Sequence, residues 1–199
     1  DVQELRRLVG IAVRMLDNTI DVSRYALDAQ RNQAQMQRRI GIGVTGVADA
    51  IAMLGARYGS AKAVFLLGSW MQTVQNAAYM ASALLAKERG AFPQYDAEHH
   101  LPQAMIQSLD PDVRAEVEAF GLRNATLTTI APTGTISMLA GNVSSGIEPI
   151  FSTSFSRMIT NPDGSKSVEK VSDYAAWLYG QIHGPNAEMP DVFVTASDL

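Results

Sequence analysis

Apolar residues recur at helical spacing over most of the chain, and glycine, proline and small polar residues break the pattern at definite points. Asp1 stands before Val2, Leu5, Leu8, Val9, Ala12, Val13, Leu16 and Ile20, the i, i+3, i+4 rhythm of an amphipathic helix reaching about Ile20. Asp21 to Tyr25 predicts a break. Ala26 to Arg39 is rich in Gln, Arg, Asn and Ala, which favour helix but offer little apolar stripe, so a surface or interface segment is expected. Within it, Arg38-Arg39 reads as a solvated basic turn or, less economically, an anion or partner site. The longest periodic run, Ala61 to about Arg89, carries Val64, Leu67, Trp70, Met71, Val74, Ala78, Ala81, Leu84 and Leu85 and stops at Gly90. Its alanines and Met/Trp stripe point to close helix packing rather than to a cofactor box.

Asp110-Pro111 predicts an N-cap and first-turn proline for a short helix ending at Gly121, and the looser stretch Ala91 to Leu109 precedes it. Ile150 to Thr160 alternates, Asn161-Pro162-Asp163-Gly164 is a turn, and Ser165 to Val171 is a partner strand, so a hairpin is expected. Ser172 is the expected cap of a helix holding Tyr174, Trp177, Leu178 and Ile182, ended by Gly184-Pro185. The tail has one strand-like element and a helix-start signal at Ser197-Asp198. No internal repeat or linker divides the chain, so residues 1–199 read as a single partial domain. A chain that begins at Asp1 and stops at Leu199 without a closing element is expected to be a processed, split or excised piece.

Composition narrows the function classes. With 47% hydrophobic and 18% charged residues, the 199-residue chain is too apolar for disorder, and its surfaces are expected to meet other protein. A net charge of −4, a pI near 5.3 and the lack of basic residues interleaved with aromatics argue against polymeric nucleic acid. No apolar run approaches a membrane span and no signal peptide is evident, so no membrane partner and a cytoplasmic location are expected. There is no cysteine, so thiol chemistry cannot reside in this chain. His99-His100 lacks a third ligand at metal-binding spacing and reads as a surface pair; no metal site is expected.

Two stretches carry candidate chemistry. Gly41-Ile42-Gly43-Val44-Thr45-Gly46 is a literal G-x-G-x-x-G, yet the residues before it are not a buried strand and no acid follows about 20 residues later, so a dinucleotide fold is rejected. A glycine-lined start to a helix that buries Val44, Val47, Ala48, Ile51 and Leu54 fits better. Asp49 near its start is either a functional acid or, as is usual for a lone acid there, a dipole partner. The second stretch runs from Asn124 to Phe151: a β-branched run predicts a buried strand, Pro132 breaks it, and Gly134 lies between Thr133 and Thr135 ahead of an apolar segment. Such a strand, turn and helix start delivers unpaired amides and hydroxyls, which suits a phosphate; the same residues also serve as an ordinary helix cap.

At APTGTISMLAGNVSSGIEP the sequence resembles the large catalytic subunit of ribonucleotide reductases, most closely the class II, adenosylcobalamin-dependent type. RRIGIGVTGVADAIAMLGARYGS, LRRLVGIAVRMLDNTIDVSRY, NATLTTIAPTGTIS and FVTASDL agree, so the likeness covers essentially the whole chain. The resemblance implies an α/β fold, a C-terminal section of a ten-stranded α/β barrel that is helix-rich here, with a few strands and one hairpin. It implies an oxidoreductase making 2′-deoxyribonucleotides from ribonucleoside di- or triphosphates by thiyl-radical chemistry. On this resemblance Pro132, Thr133, Gly134, Thr135, Ile136 and Ser137 bind the substrate's phosphates. No catalytic residue falls in the chain, because the family's cysteines lie outside the matching region, so the piece alone is expected to be inactive. Implied partners are the ribonucleotide, a complementary N-terminal barrel polypeptide carrying the cysteines, and a thioredoxin-type reductant. The alternatives are a non-catalytic interaction or regulatory fragment, and a section of a class I large subunit.

Overall fold

The computed structural model describes residues 1–199 and is predominantly helical. Helix α1 spans Val2–Val22, and Asp1 caps it by accepting from the amides of Gln3 and Glu4. Helix α2 spans Asp28–Gln37 and buries none of its residues, in keeping with its polar composition. Helix α3 (Val47–Met53) follows Gly46, whose φ of 75° is a left-handed conformation that glycine adopts without steric cost. Helix α4 (Ala61–Arg89) buries Ala63, Val74, Ala78, Ala83, Leu85 and Ala86, so small side chains do set its packing. Short helices α5 (Ala97–His100) and α6 (Ala104–Gln107) occupy the looser stretch, and α7 (Pro111–Phe120) ends at Gly121 with φ 71°. Helix α8 covers only Gly134–Leu139. Strands β1 (Ser154–Thr160) and β2 (Lys166–Ser172) pair antiparallel with Met158 opposite Val168, and α9 spans Tyr174–His183.

The chain forms two compact units, residues 1–42 with 69–129, and residues 43–68 with 130–199. In the first, a polar network is sealed within the packing. Asp17, on the same face of α1 as Val9 and Val13, is fully buried; it takes Arg38 Nε at 2.8 Å and Asn124 Nδ2 at 3.1 Å, with Arg89 and Arg123 at 3.4 Å. Arg38 also donates twice to Asp21, whose carboxyl this guanidinium holds below the usual range. Arg38 is therefore neither a solvated basic turn nor an anion site: it is 4% exposed and pairs with the buried Asp17 and the more exposed Asp21.

The β-branched run after Asn124 is extended but not a fully buried strand. Ile40 and Ile42 donate to the carbonyls of Thr126 and Leu127, Thr129 returns a bond to Ile42, and a single parallel bridge joins Ile42 to Thr128. Only Leu127 of this run is buried, because a neighbour pairs it along one edge alone and Thr126 and Thr129 face outward. Of the residues before the glycine motif, those to Gln37 belong to α2 and only Ile40 joins this pairing, so no buried strand precedes the motif; the bridge falls on Ile42 within it. An added Cβ at Gly41 would stand 3.0 Å from the Thr129 side chain, which explains a glycine there.

The second unit has an apolar core of Ala48, Ala52, Ile150, Ala175, Ala176 and Phe193, with Tyr58, Tyr179 and Val192 packed on it. Leu54, expected in the α3 face, is 53% exposed, since the helix ends at Met53 and Gly55 turns the chain away. Asp173 rather than Ser172 caps α9, because only its side chain reaches the Ala176 amide. Thr195 and Asp198 form a capping box around a terminal 3₁₀ turn at Ala196–Asp198, and Ile150 bridges Thr195 in parallel.

Candidate functional site

The six residues singled out in the sequence stand together at the start of α8. Pro132, Gly134, Thr135 and Ile136 are exposed, Thr133 is half-buried and Ser137 is buried. Two of the three hydroxyls are committed within the loop. Thr133 Oγ1 donates to Thr45 Oγ1 at 2.9 Å and accepts from the Gly146 amide at 2.7 Å. Ser137 Oγ donates to the Gly134 carbonyl and lies 3.4 Å from Ser145 Oγ. Thr135 is exposed and its hydroxyl, like the amides of Thr135 and Ile136, makes no hydrogen bond to protein. A helix of six residues supplies little dipole, so those two amides, the free hydroxyl and the lack of a side chain at Gly134 are what the loop offers an anion. An added Cβ at Gly134 would meet nothing within 4 Å.

The supports of this loop come from the glycine-rich stretch and the turn after α8. Thr45 Oγ1 donates to the Ser144 carbonyl at 2.9 Å while accepting from Thr133, so one hydroxyl joins both sides of the loop. The Gly46 amide also donates to the Ser144 carbonyl, at 2.7 Å. Val143 donates back to the Ser137 carbonyl, closing the turn onto α8. Asn142, at φ 62°, and Gly146, at φ 51°, supply the left-handed conformations this path needs. An added Cβ at Gly146 would lie 2.7 Å from the Ala131 carbonyl oxygen, inside contact distance.

Beneath the loop, Asp49 of α3 is 1% exposed. Its Oδ2 accepts from the Ser144 amide at 2.7 Å and its Oδ1 from the Ala175 amide at 3.0 Å. Reading Asp49 as a dipole partner missed this; the available signal was an acid at a position flanked by Val47, Ala48, Ile51 and Ala52, all on the buried side of α3. Asp173, 4% exposed, lies against it, and its carboxyl is pushed up to about 7 by burial first and by the negative charge of Asp49 second. A cleft of about 400 Å³ opens here, lined among others by Gly134, Ser137, Ser145, Glu148, Arg157 and Asp173.

The histidine pair is outside this arrangement. His99 pairs with Asp96 at 2.7 Å on the surface, and His100 packs against Phe92 and Tyr95. No group of three or more His, Cys, Asp or Glu side chains converges anywhere in the chain. No helix is long and apolar enough to cross a membrane.

Comparison with known proteins gives this geometry its family. The model of the ribonucleotide reductase barrel domain matches residues 1–179. The vitamin B12-dependent ribonucleoside-diphosphate reductase of Mycobacterium tuberculosis strain H37Rv is 41% identical over 159 residues, covering 80% of this chain and 20% of that protein. The enzyme of the same name from Thermoplasma acidophilum is 33% identical over 215 residues, covering 100% of this chain and 26% of its own length. The ribonucleoside-diphosphate reductase subunit alpha of Chlamydia pneumoniae is 31% identical over 173 residues, 76% of this chain and 16% of the relative. The chain belongs to the ribonucleotide reductase barrel family. Its helix-rich architecture with one antiparallel hairpin is a section of that barrel domain, and it spans about a fifth to a quarter of the length of the B12-dependent relatives.

Proposed function

We propose that this chain is the section of a class II ribonucleotide reductase that holds the substrate's phosphates, acting with a complementary polypeptide that carries the cysteines. The observation that carries this reading is the loop at Pro132 to Ser137, where two amides and the Thr135 hydroxyl are without protein partners on exposed residues next to a glycine with open space around it. A phosphate accepts such donors without displacing any internal bond, because Thr133 and Ser137 already serve the loop itself. The substrate would be a ribonucleoside di- or triphosphate whose 2′-hydroxyl leaves as water in a reaction that a thiyl radical on the partner polypeptide initiates. A cysteine pair of that polypeptide supplies the two electrons and two protons, becomes a disulfide, and is reduced again by a thioredoxin-type protein. With no cysteine, this chain's share is binding and orientation, which sets the sugar's distance from the reacting groups. A cytoplasmic location accords with that role.

The names of the B12-dependent relatives support adenosylcobalamin as the cofactor of the complete enzyme. The corrin already fills the cobalt's equatorial positions, so at most one side chain would be asked of this chain. No histidine stands in the cleft beside the loop: His99 and His100 bond Asp96, and His183 stacks on Tyr179 with ring centres 4.3 Å apart. The cofactor is therefore assigned to the rest of the enzyme, and no step is routed through it here.

The test is reconstitution. Mixing this chain with the complementary catalytic section, adenosylcobalamin and a dithiol reductant should yield 2′-deoxyribonucleotide, and omitting either polypeptide should abolish it. A folded mixture that binds ribonucleotide but turns over only with a separate radical-generating subunit, and not with cobalamin, would move the chain to class I. Failure to bind ribonucleotide at all would favour a non-catalytic fragment.

A further inference from the structure

We propose that Asp49 and Asp173 are positioning residues that share one proton, forming a buried clasp that holds the phosphate loop in register with α3 and α9. The inference rests on the phosphate-loop reading for its consequence, while the clasp itself stands on separate geometry.

Hydrogen-bond accounting places the proton. Both oxygens of Asp49 are occupied by backbone donors, Ser144 N at 2.7 Å and Ala175 N at 3.0 Å, so Asp49 has acceptor roles at each oxygen. One oxygen of Asp173 accepts from Ala176 N at 3.2 Å, the amide next to the Ala175 N that Asp49 holds, so the two buried carboxyls sit on adjacent amides at the start of α9. Neither carboxyl forms an ion pair with Lys or Arg, and both are almost fully buried. Two adjacent buried carboxylates without a cation cannot both stay ionised; a proton on Asp173 donated to Asp49 resolves the repulsion and satisfies the remaining lone pair.

The clasp has three arms. Asp49 fixes the Ser144 amide, Ser144 Oγ accepts from the Ala48 amide at 3.1 Å, and Asn142 bonds Ser172 and Tyr174 across the start of α9. Ser144 is in turn the residue whose carbonyl Thr45 and Gly46 hold, and Thr45 holds Thr133. Losing the proton sets two negative charges against each other at the root of this chain of bonds, which moves the 142–146 turn and with it the Thr133–Gly134 end of the phosphate loop. Other charged groups near Asp173 are Glu148 of the turn and Arg157 of β1, which line the same cleft. Asp49 from α3 is the charged group that acts on it directly.

The experiment uses the complete catalytic subunit, comparing wild type with Asp173→Asn and Asp49→Asn. Isotope-edited infrared spectra at neutral pH should show a protonated carboxyl band that Asp173→Asn removes. Substrate KM for a ribonucleoside diphosphate should be level up to about pH 7 and then rise by about tenfold per unit, with kcat unchanged. Asp173→Asn, whose amide donates to Asp49 at every pH, should keep the low-pH KM and lose the rise; the substrate's own phosphate titration is common to both enzymes and cancels in their ratio. Asp49→Asn should raise KM at all pH values, because an amide nitrogen would face a backbone N–H. The absence of a protonated band assignable to Asp173, or the same KM rise in Asp173→Asn as in wild type, overturns the clasp. Failure of the phosphate-loop reading is separate: Gly134→Val would then leave substrate affinity intact while the carboxyl band persists.

Discussion

Replacing Thr45 by valine removes one hydroxyl and keeps the shape. In the structure that hydroxyl accepts from Thr133 Oγ1 and donates to the Ser144 carbonyl, both at 2.9 Å, so the loop loses two neutral hydrogen bonds and leaves two partly buried groups without partners. Each such bond is worth about 0.5–1.5 kcal/mol net, giving about 1–3 kcal/mol against the observed loop position. Because about 1.4 kcal/mol is a tenfold change in affinity, substrate KM should rise by roughly 5- to 140-fold if the loop must be restored before phosphate binds. The assay is steady-state kinetics of the reconstituted enzyme, with far-ultraviolet circular dichroism to confirm folding. Thr45→Ser should recover most of the loss by returning the hydroxyl. A folded Thr45→Val enzyme with unchanged KM would refute the view that Thr45 holds the loop.

Three further outcomes are expected. Gly146→Ala should destabilise the loop by about 1–3 kcal/mol, since the left-handed backbone and the 2.7 Å approach to the Ala131 carbonyl both resist a Cβ; thermal unfolding reads it. Asp17→Asn should cost up to about 3–5 kcal/mol in chemical denaturation, because Arg38, Arg89 and Arg123 lose their shared buried counter-charge and Arg38 keeps only Asp21. For Asp173 the folded carboxyl holds its proton up to about 7 whereas the unfolded one releases it near 3.8, so the folded state binds more protons between those values. Its contribution to stability is complete below about pH 3.8 and is lost as pH rises to about 7; the difference between wild-type and Asp173→Asn unfolding midpoints across that window checks the sign.

Local signals were legible wherever one residue decides the structure. Asp1 caps α1, Pro111 opens α7, and Gly90 and Gly121 close α4 and α7 as their residue types require. Asn161 to Gly164 makes the hairpin turn, with Gly164 at φ 83°. What escaped was long-range polar pairing. Arg38 and Asp17 are 21 residues apart, and Asp49 meets Ala175 across 126, so neither pattern nor propensity connects them. Both acids nevertheless left a trace: each stands on the apolar face of its helix, Asp17 four residues after Val13 and Asp49 beside Ala48, where an unpaired charge is costly and a partner is implied. The strand before Pro132 was overestimated for a related reason, since β-branched residues mark extended backbone whether one edge or two are paired. The candidate site itself was found by composition, but its donors had to be sorted by geometry: Thr133 and Ser137 support the loop, and the Thr135 hydroxyl with two amides has no protein partner.

Gly134 offers the most direct test of the phosphate-binding role. A side chain there meets no protein atom within 4 Å, and Gly134 is not among the glycines with a left-handed backbone, so Gly134→Val in combination with Thr135→Ala should fold normally. Loss of even one charge-assisted hydrogen bond, worth about 1.5–3 kcal/mol, should weaken binding of a ribonucleoside diphosphate by roughly tenfold or more. Calorimetric titration of the reconstituted enzyme should show that loss for the diphosphate and little change for the corresponding nucleoside. Unaltered diphosphate affinity in the folded double variant would contradict the assignment of this loop to the substrate's phosphates.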